Sequence, residues 1–332
     1  MEKTFPLKVV VWQSAFLGDL VLTSNLLLNL FENLPSAEIF LVARPFAVEL
    51  FKNFHPNLRI VPLEKTLKGT WRVIKTVKGS DLAFGVQRGA RTSLSLFLAS
   101  IDERVGFSSA ELSFLYTKRV EHSWGIHEVE RNQKLLKAVG LKTFTDKLFL
   151  PIDKNLLKEA EKKFELPKEF VVVAPSANFE PKRWSSSHFA ELIEKITSKG
   201  WTVVLIGAKG KDERVTQKVV SKLKDPSKVI NLVGRTSVRE LVHIIKLSRL
   251  VISNDSAPVH IAEAVKTPVI TVYCATSSYY GFFPRRGLFF EPKNLSCHPC
   301  KPNPKVCKTG TEECRFAVSP IEVWKALKGF LS

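Results

Sequence analysis

No apolar run in the chain approaches the ~20 residues that a membrane-spanning helix needs. The first residues, MEKTFPLKVVVWQS, also lack the basic start, long apolar stretch and small-residue cleavage site of a secretory signal. Both absences lead us to expect a cytoplasmic protein, peripheral at most at the inner face of a membrane. The Gly-x-Gly-x-x-Gly turn of dinucleotide sites and the Walker phosphate loop are missing too, which disfavours a nicotinamide enzyme. So is an Asp-x-Asp metal motif in a strand-end loop, since Asn254-Asp255-Ser256 does not supply one. Acidic residues are few: 32 Asp and Glu against 50 Lys and Arg leave a formal charge of +18, with +6 on residues 1–150 and +12 on 151–332. Such an excess favours an anionic partner, whether a phosphorylated substrate, nucleic acid or an anionic membrane, although solvated lysines account for part of it.

What is present is a folded protein, 45% hydrophobic and 25% charged over 332 residues, a length that favours two domains over one. Short apolar runs alternate with amphipathic stretches. In the first half 8–14, 37–43, 58–63 and 81–87 read as buried strands, and in the second 170–177, 201–208, 228–234, 249–254 and 267–273 repeat the rhythm. Residues 153–170 read as a helix and a linker turn between the halves. The domains expected are therefore 1–152 and 153–332. Repeated strand-helix units imply an α/β protein of two doubly wound parallel sheets, with a ligand outside the carboxyl ends of the strands in a central cleft.

Three strand ends carry polar motifs. WQSAFLGDL (12–20) places Ser14, Gly18 and Asp19 where a strand meets a helix. Gly18 allows close approach of backbone to ligand, and Asp19 is either aimed at that ligand or an ordinary helix cap. APSANFEPKRWSSS (174–187) supplies Ser176, Asn178, Lys182 and Arg183. A lysine in such a loop suits a diphosphate, whereas Pro-Lys-Arg-Trp alone is more often a solvated turn. SNDSAPVHIAEA (253–264) joins a strand to a helix with Pro258 in its first turn, so that Asp255 or Ser256 can cap while N–H groups near Ala257 face a ligand and His260 lies one turn on.

Together these motifs resemble the heptosyltransferases of lipopolysaccharide core assembly, glycosyltransferase family 9, and most closely its ADP-heptose:lipopolysaccharide heptosyltransferase II group. The matching stretches are SAFLGD (14–19), PSANFEPKRW (175–184), GRTSVRELVHII (234–245) and SNDSAPVHIAEAVKTPVITVY (253–273), with a weaker match at HEVERNQKLL (127–136). The resemblance implies a GT-B fold of two Rossmann-like domains, an N-terminal acceptor domain and a C-terminal nucleotide-sugar domain. Asp19 matches the carboxylate implicated as catalytic base, Lys182 a lysine at the donor phosphates and Asp255 a donor-site carboxylate. Ser14, Gly18, Ser176, Asn178, Arg183, Gly207, Thr236, Ser256, Ala257, Pro258 and His260 complete the implied donor site. Ala257 stands where glycine is common, and Cys274-Ala275 where Gly-Pro is usual.

The implied reaction moves L-glycero-D-manno-heptose with inversion from ADP-heptose to the heptosyl-Kdo2-lipid A inner core, and it requires no cofactor. Arg88, Arg91, Arg104, His127 and Arg131 are the candidates for the anionic groups of the acceptor. In TLKGTWRVIKTVKG (66–79), Lys68, Arg72 and Lys75 sit beside Leu67, Trp71 and Ile74. This pattern fits docking on an anionic bilayer, but a helix packing its apolar stripe is the reading the sequence favours. Four of the five cysteines, Cys297, Cys300, Cys307 and Cys314, fall within eighteen residues. A structural zinc, disulfides and free thiols all remain open for them. The alternatives to the heptosyltransferase II reading are transfer to Kdo2-lipid A directly, a nucleotide-sugar epimerase of similar fold, and a nucleic-acid-binding protein. The last is not expected, because the basic residues are dispersed.

Overall fold

The computed structural model describes residues 7–331, so residues 1–6 of the start read above for a secretory signal lie outside the described part. The chain divides into two compact units, Met1–Pro151 and Ile152–Ser332. In the first, strands β1 (Lys8–Trp12), β2 (Glu38–Ala43), β3 (Leu58–Pro62), β4 (Leu82–Gly85), β5 (Glu103–Phe107) and β6 (Lys118–Val120) form one parallel sheet ordered β3-β2-β1-β4-β5-β6. Its helices are α1 (Leu17–Asn33), α2 (Ala47–Leu50), α3 (Leu67–Thr76), α4 (Ala90–Leu98) and α5 (Glu128–Lys137). The second unit opens with α6 (Lys154–Lys163), whose Asp153 cap accepts the Asn155 N–H at 2.9 Å. Its strands β7 (Phe170–Ala174), β8 (Thr202–Leu205), β9 (Val229–Asn231), β10 (Leu250–Asn254), β11 (Val269–Val272) and β12 (Leu288–Phe290) form a parallel sheet ordered β12-β11-β10-β7-β8-β9. Helices α7 (Ser186–Thr197), α8 (Lys211–Val220), α9 (Val238–Leu247), α10 (Ala257–Ala264) and α11 (Pro320–Leu327) accompany it.

Both sheets follow the doubly wound order, reversing direction between β1 and β4 and between β7 and β10. In sheets of this order the carboxyl ends of the strands at the reversal are where a ligand is expected. The central strands are Val-rich and buried on both faces, as parallel strands covered by helices must be. Three strands are not apparent as apolar runs: β5, β6 and β12 are short, outlying and partly polar. Gly85 and Gly106, register partners on β4 and β5, let the Tyr116 ring lie against the sheet, where a Cβ at either position would overlap it.

Two helices differ from their simplest amphipathic reading. Besides its leucine face, α1 buries Asn25 and Asn29, which with Asn33 bond the carbonyls of Lys142, Thr145 and Lys147. These asparagines satisfy a strand-like return that has no sheet partner. Helix α3 buries Gly69, Val73 and Ile74 but turns Leu67 (93% exposed) and Trp71 (53%) outward beside Lys68, Arg72 and Lys75. The packing reading favoured by the sequence therefore holds for one face only.

Candidate active site

In the second unit, the loop after β7 and the loop after β10 meet at the reversal point of the sheet. The 3-10 turn Glu180–Lys182 brings the Lys182 Nζ to 2.7 Å from the Asp255 Oδ2, with side chains only 14% and 9% exposed. Thr276, just beyond β11, donates its hydroxyl to the same oxygen at 2.7 Å. Burial favours the neutral form of Asp255, but the Lys182 ammonium and the two hydrogen bonds outweigh it and hold the carboxyl below its usual range. The pair is therefore ionic, and each charge depends on the other.

What holds Lys182 in place is the fully buried side chain of Asn254. Its Nδ2 donates to the Pro175 carbonyl at 2.9 Å and its Oδ1 accepts the Trp184 N–H at 2.8 Å, so one amide spans both ends of the 175–184 loop. Trp184 is buried and donates Nε1–H to the Val318 carbonyl at 2.9 Å. Arg183 folds back onto the Ala177 carbonyl through Nε and Nη2, each at 3.0 Å. Pro-Lys-Arg-Trp is thus not a solvated turn, and Arg183 secures its own loop.

Helix α10 starts with Pro258 in its first turn and with no side-chain cap. The expectation that Asp255 or Ser256 caps it fails, because Asp255 is paired with Lys182 and the Ser256 hydroxyl meets that of Ser253 at 3.0 Å. Ala257 and Pro258, half-buried, follow directly. His260 is buried, and its Nδ1 has no hydrogen-bond partner. Burial pushes its pKa down to about 4, against the pull of Asp255, so the ring is neutral at pH 7. A histidine whose folded pKa is depressed keeps its full stabilising contribution above its unfolded value of about 6.5. That contribution is lost as the pH falls toward 4. His122 in the first unit, also at about 4 through burial and then Arg88 and Arg131, behaves alike. Stability measured by denaturant titration is expected to decline from pH 6.5 to 4, with a shallower slope in His260→Asn and in His122→Asn.

The other donor candidates lie at the ends of β7, β8 and β9. Ser176 donates to Asp212 Oδ1 at 2.6 Å, and Asp212 Oδ2 accepts the Ala208 N–H at 2.8 Å. The Asn178 carbonyl accepts from Lys211 Nζ at 2.8 Å. Gly207 accepts the Gly234 N–H at 2.9 Å, and a Cβ there would press on Asp212 at 3.0 Å. Thr236 is half-buried just before Ser237, the cap of α9. Thr276, Asn254 and Asp212 are the residues that the motifs did not single out. Asn254 ends a strand, Thr276 follows one and Asp212 opens a helix, positional signals that single out no side chain among its neighbours.

In the first unit, Ser14 lies after β1 and directs both its N–H and its hydroxyl to Gln87 Oε1 after β4, at 2.8 and 2.7 Å. Gly18 is buried in the first turn of α1. Asp19, half-buried, accepts the Phe16 N–H at Oδ2 at 3.3 Å, so its capping role is real. Arg88 and Arg91 are exposed just past β4, and the Arg88 guanidinium lies 5.3 Å from the Trp124 ring centroid. Three acceptor candidates are placed otherwise. Arg104 sits at the start of β5, opposite the carboxyl ends, and bonds the carbonyls of Ile101 and Leu115. His127 is buried and caps α5 by accepting the Val129 N–H. Arg131 is fully buried, paired with Glu128 at 2.6 Å and bonded to the Ile126 carbonyl at 2.8 Å. Helical spacing brought His127 and Arg131 together on one face, but that face is internal.

All five cysteines are thiols, and among the described residues no group of three or more His, Cys, Asp and Glu is arranged to hold a metal ion. Of the three alternatives left open for Cys297, Cys300, Cys307 and Cys314, the described arrangement is that of free thiols. The four are nonetheless near one another: burial, then Cys300, Cys307 and Cys297, push Cys314 up to about 11.

Comparison with known proteins bears on this geometry. The family model for glycosyltransferase family 9 (heptosyltransferase) matches residues 70–301. Lipopolysaccharide heptosyltransferase 3 of Escherichia coli K12 is 24% identical over 286 residues, which cover 79% of this chain and 81% of that protein. Among solved structures, a glycosyl transferase family 9 protein from Veillonella parvula superposes with a TM-score of 0.83 at 19% identity, over 98% of this chain and 97% of that one. The ADP-heptose lipopolysaccharide heptosyltransferase II of E. coli gives 0.79 at 20% identity, over 98% of each chain. The fold is thus of the GT-B type that the motifs imply.

Proposed function

The chain belongs to glycosyltransferase family 9, the heptosyltransferases, and from that premise we propose that it transfers L-glycero-D-manno-heptose from ADP-heptose to the heptosyl-Kdo2-lipid A inner core of lipopolysaccharide. The observation that carries the donor half of this reading is the buried Lys182–Asp255 pair with Thr276, set at the reversal point of the second sheet beside an uncapped helix start. Asp255 engages one of the three N–H donors on the Lys182 ammonium. The remaining donors and the N–H groups at the start of α10 would take the diphosphate oxygens.

In the proposed step, an acceptor hydroxyl attacks the anomeric carbon as the bond to the ADP oxygen breaks, which inverts that carbon. Asp19 takes the hydroxyl proton, and Lys182 with the α10 N–H groups stabilises the departing diphosphate. Fixed positive charge then serves where a divalent ion otherwise would, so we expect turnover to withstand chelator. Arg88 and Arg91, exposed beside the β4 end, are the acceptor contacts that remain. Incubating the protein with ADP-heptose and either heptosyl-Kdo2-lipid A or Kdo2-lipid A, with chelator present, tests the reading. One heptose mass is expected on the first acceptor alone. Transfer to Kdo2-lipid A would assign the earlier step, a converted sugar nucleotide without acceptor would point to an epimerase, and no product would remove the reading.

An amphiphilic acceptor has to be met at its membrane. No helix among the described residues is long and apolar enough to cross one. The exposed Leu67 and Trp71 of α3, ringed by Lys68, Arg72 and Lys75, and the exposed Leu94, Phe97 and Leu98 of the neighbouring α4 supply a surface of mixed apolar and cationic character. Such a face suits an anionic bilayer. Cosedimentation with phosphatidylglycerol vesicles is expected to fall severalfold in a Leu67→Ser/Trp71→Ser variant, and equal binding by variant and parent would exclude this face.

A further inference from the structure

Lys182 and Asp255 stand on the loops that leave the paired strands β7 and β10, and Asn254, next to Asp255, bonds both ends of the first loop. One distant segment adds main-chain and side-chain bonds around the pair. At its start, the Cys300 N–H donates to the Ala275 carbonyl at 2.7 Å, and His298 Nε2 lies 2.9 Å from the Thr276 carbonyl. Thr276 is the residue whose hydroxyl holds Asp255. At its end, Arg315 Nε donates to the Arg183 carbonyl at 3.1 Å, the Arg315 carbonyl accepts the Ser185 N–H at 3.0 Å, and its guanidinium faces Glu180 at 4.0 Å. Those are the residues on either side of Lys182. The loop after β11, which carries Ala275 and Thr276, is also bonded directly to the loop of Lys182, by the Ala275 N–H to the Pro181 carbonyl at 3.1 Å.

We propose that the segment from Cys297 to Arg315 is a two-ended brace that, together with Asn254, sets the spacing of Lys182 and Asp255, with His298 and Arg315 as its positioning residues. The segment has few apolar side chains of its own, so its contacts with the site loops define its path. Its thiols gather the two ends: Cys300 and Cys314 pack on the same hydrophobic core, and Cys314 lies within electrostatic reach of Cys297, Cys300 and Cys307. Neither His298 nor Arg315 belongs to the proposed catalytic set. They act through Thr276 and through the loop of Lys182, where a displacement of about 1 Å can cost on the order of 10²-fold in rate. The functional meaning of the brace rests on the donor-site reading given above, whereas its mechanical action is measurable in the free protein.

The test measures amide hydrogen exchange in peptides covering 175–185 and 273–280, together with ADP affinity by calorimetry and donor and acceptor KM. The proteins compared are the parent, His298→Ala, His298→Gln, Arg315→Ala and the parent with its thiols blocked by methyl methanethiosulfonate. In His298→Ala and in the blocked protein, exchange is expected to quicken in those peptides alone. ADP affinity should fall about tenfold, equivalent to about 1.4 kcal/mol, with acceptor KM unchanged. His298→Gln, which keeps a donor, should recover most of both, and Arg315→Ala should act mainly on 175–185. Unchanged exchange in those two peptides for both alanine variants would overturn the brace, as would a rise spread evenly over the second unit. A parent protein that fails to bind ADP would sink the donor reading, and the exchange data would still decide the brace.

Discussion

Replacing Lys182 by alanine is expected to reduce turnover by two to three orders of magnitude and also to destabilise the second unit. The first effect follows from removing preorganised positive charge from the leaving group, worth about 10²–10³-fold for one such donor. The second follows from burial: Asp255, with its side chain 9% exposed, loses the ammonium 2.7 Å away that outweighed its desolvation. Breaking a buried pair from one side costs about 3–5 kcal/mol. The sign with pH separates this from a general packing loss. In the parent, the Asp255 carboxyl is held low, so its contribution persists at neutral pH and is lost only as the pH falls through that depressed value. Without Lys182, burial raises the carboxyl, and the deficit should shrink as the pH is lowered from 7 toward 5. Denaturant midpoints across that range, for Lys182→Ala and for Lys182→Met with Asp255→Leu, decide the matter. The double variant should regain stability and remain inactive.

Asp19→Asn is expected to abolish most transfer, by about 10²–10⁴-fold in kcat/KM if the carboxylate is the base, with ADP affinity unchanged. The design of this variant uses the observed geometry. Asp19 Oδ2 accepts the Phe16 N–H, and an asparagine carbonyl accepts the same bond, so the helix start survives. The loss of negative charge from the first turn costs only about 0.3–1 kcal/mol. A thermal midpoint within a few degrees of the parent, combined with lost transfer, identifies chemistry. Transfer at the parental rate would leave Asp19 a cap and nothing more.

Much of the architecture is legible in the order of residues, because strands buried on both faces must be continuously apolar. FVVVA and KVVVW can hardly be anything else, and each is followed by a helix at the expected place. The outlying strands β5, β6 and β12 are partly polar and carry no such mark. The strand-end motifs place Lys182 and Asp255 in the right class of position. Their direct contact, however, depends on Asn254 and Thr276, whose roles arise only when loops 73 and 21 residues apart in sequence meet. Charge misleads more than apolarity does. Arg131 looks like a surface cation, yet it lies fully buried against Glu128, because helical spacing gives a face without saying which way it turns. For α3, the same ambiguity resolved the other way, and Trp71 faces solvent.

The contact between Ala275 and Pro181 makes position 275 of this chain sensitive to one substitution in particular. The methyl group of Ala275 is buried and touches neither member of the ion pair through any hydrogen bond, so judged by its side chain the position would accept any small residue. Its amide proton is what the Pro181 carbonyl receives. Proline, which has no such proton, would leave that carbonyl without its donor and uncouple the neighbouring loops. In this chain it is therefore the main chain of residue 275, and not its methyl group, that ties the two loops together.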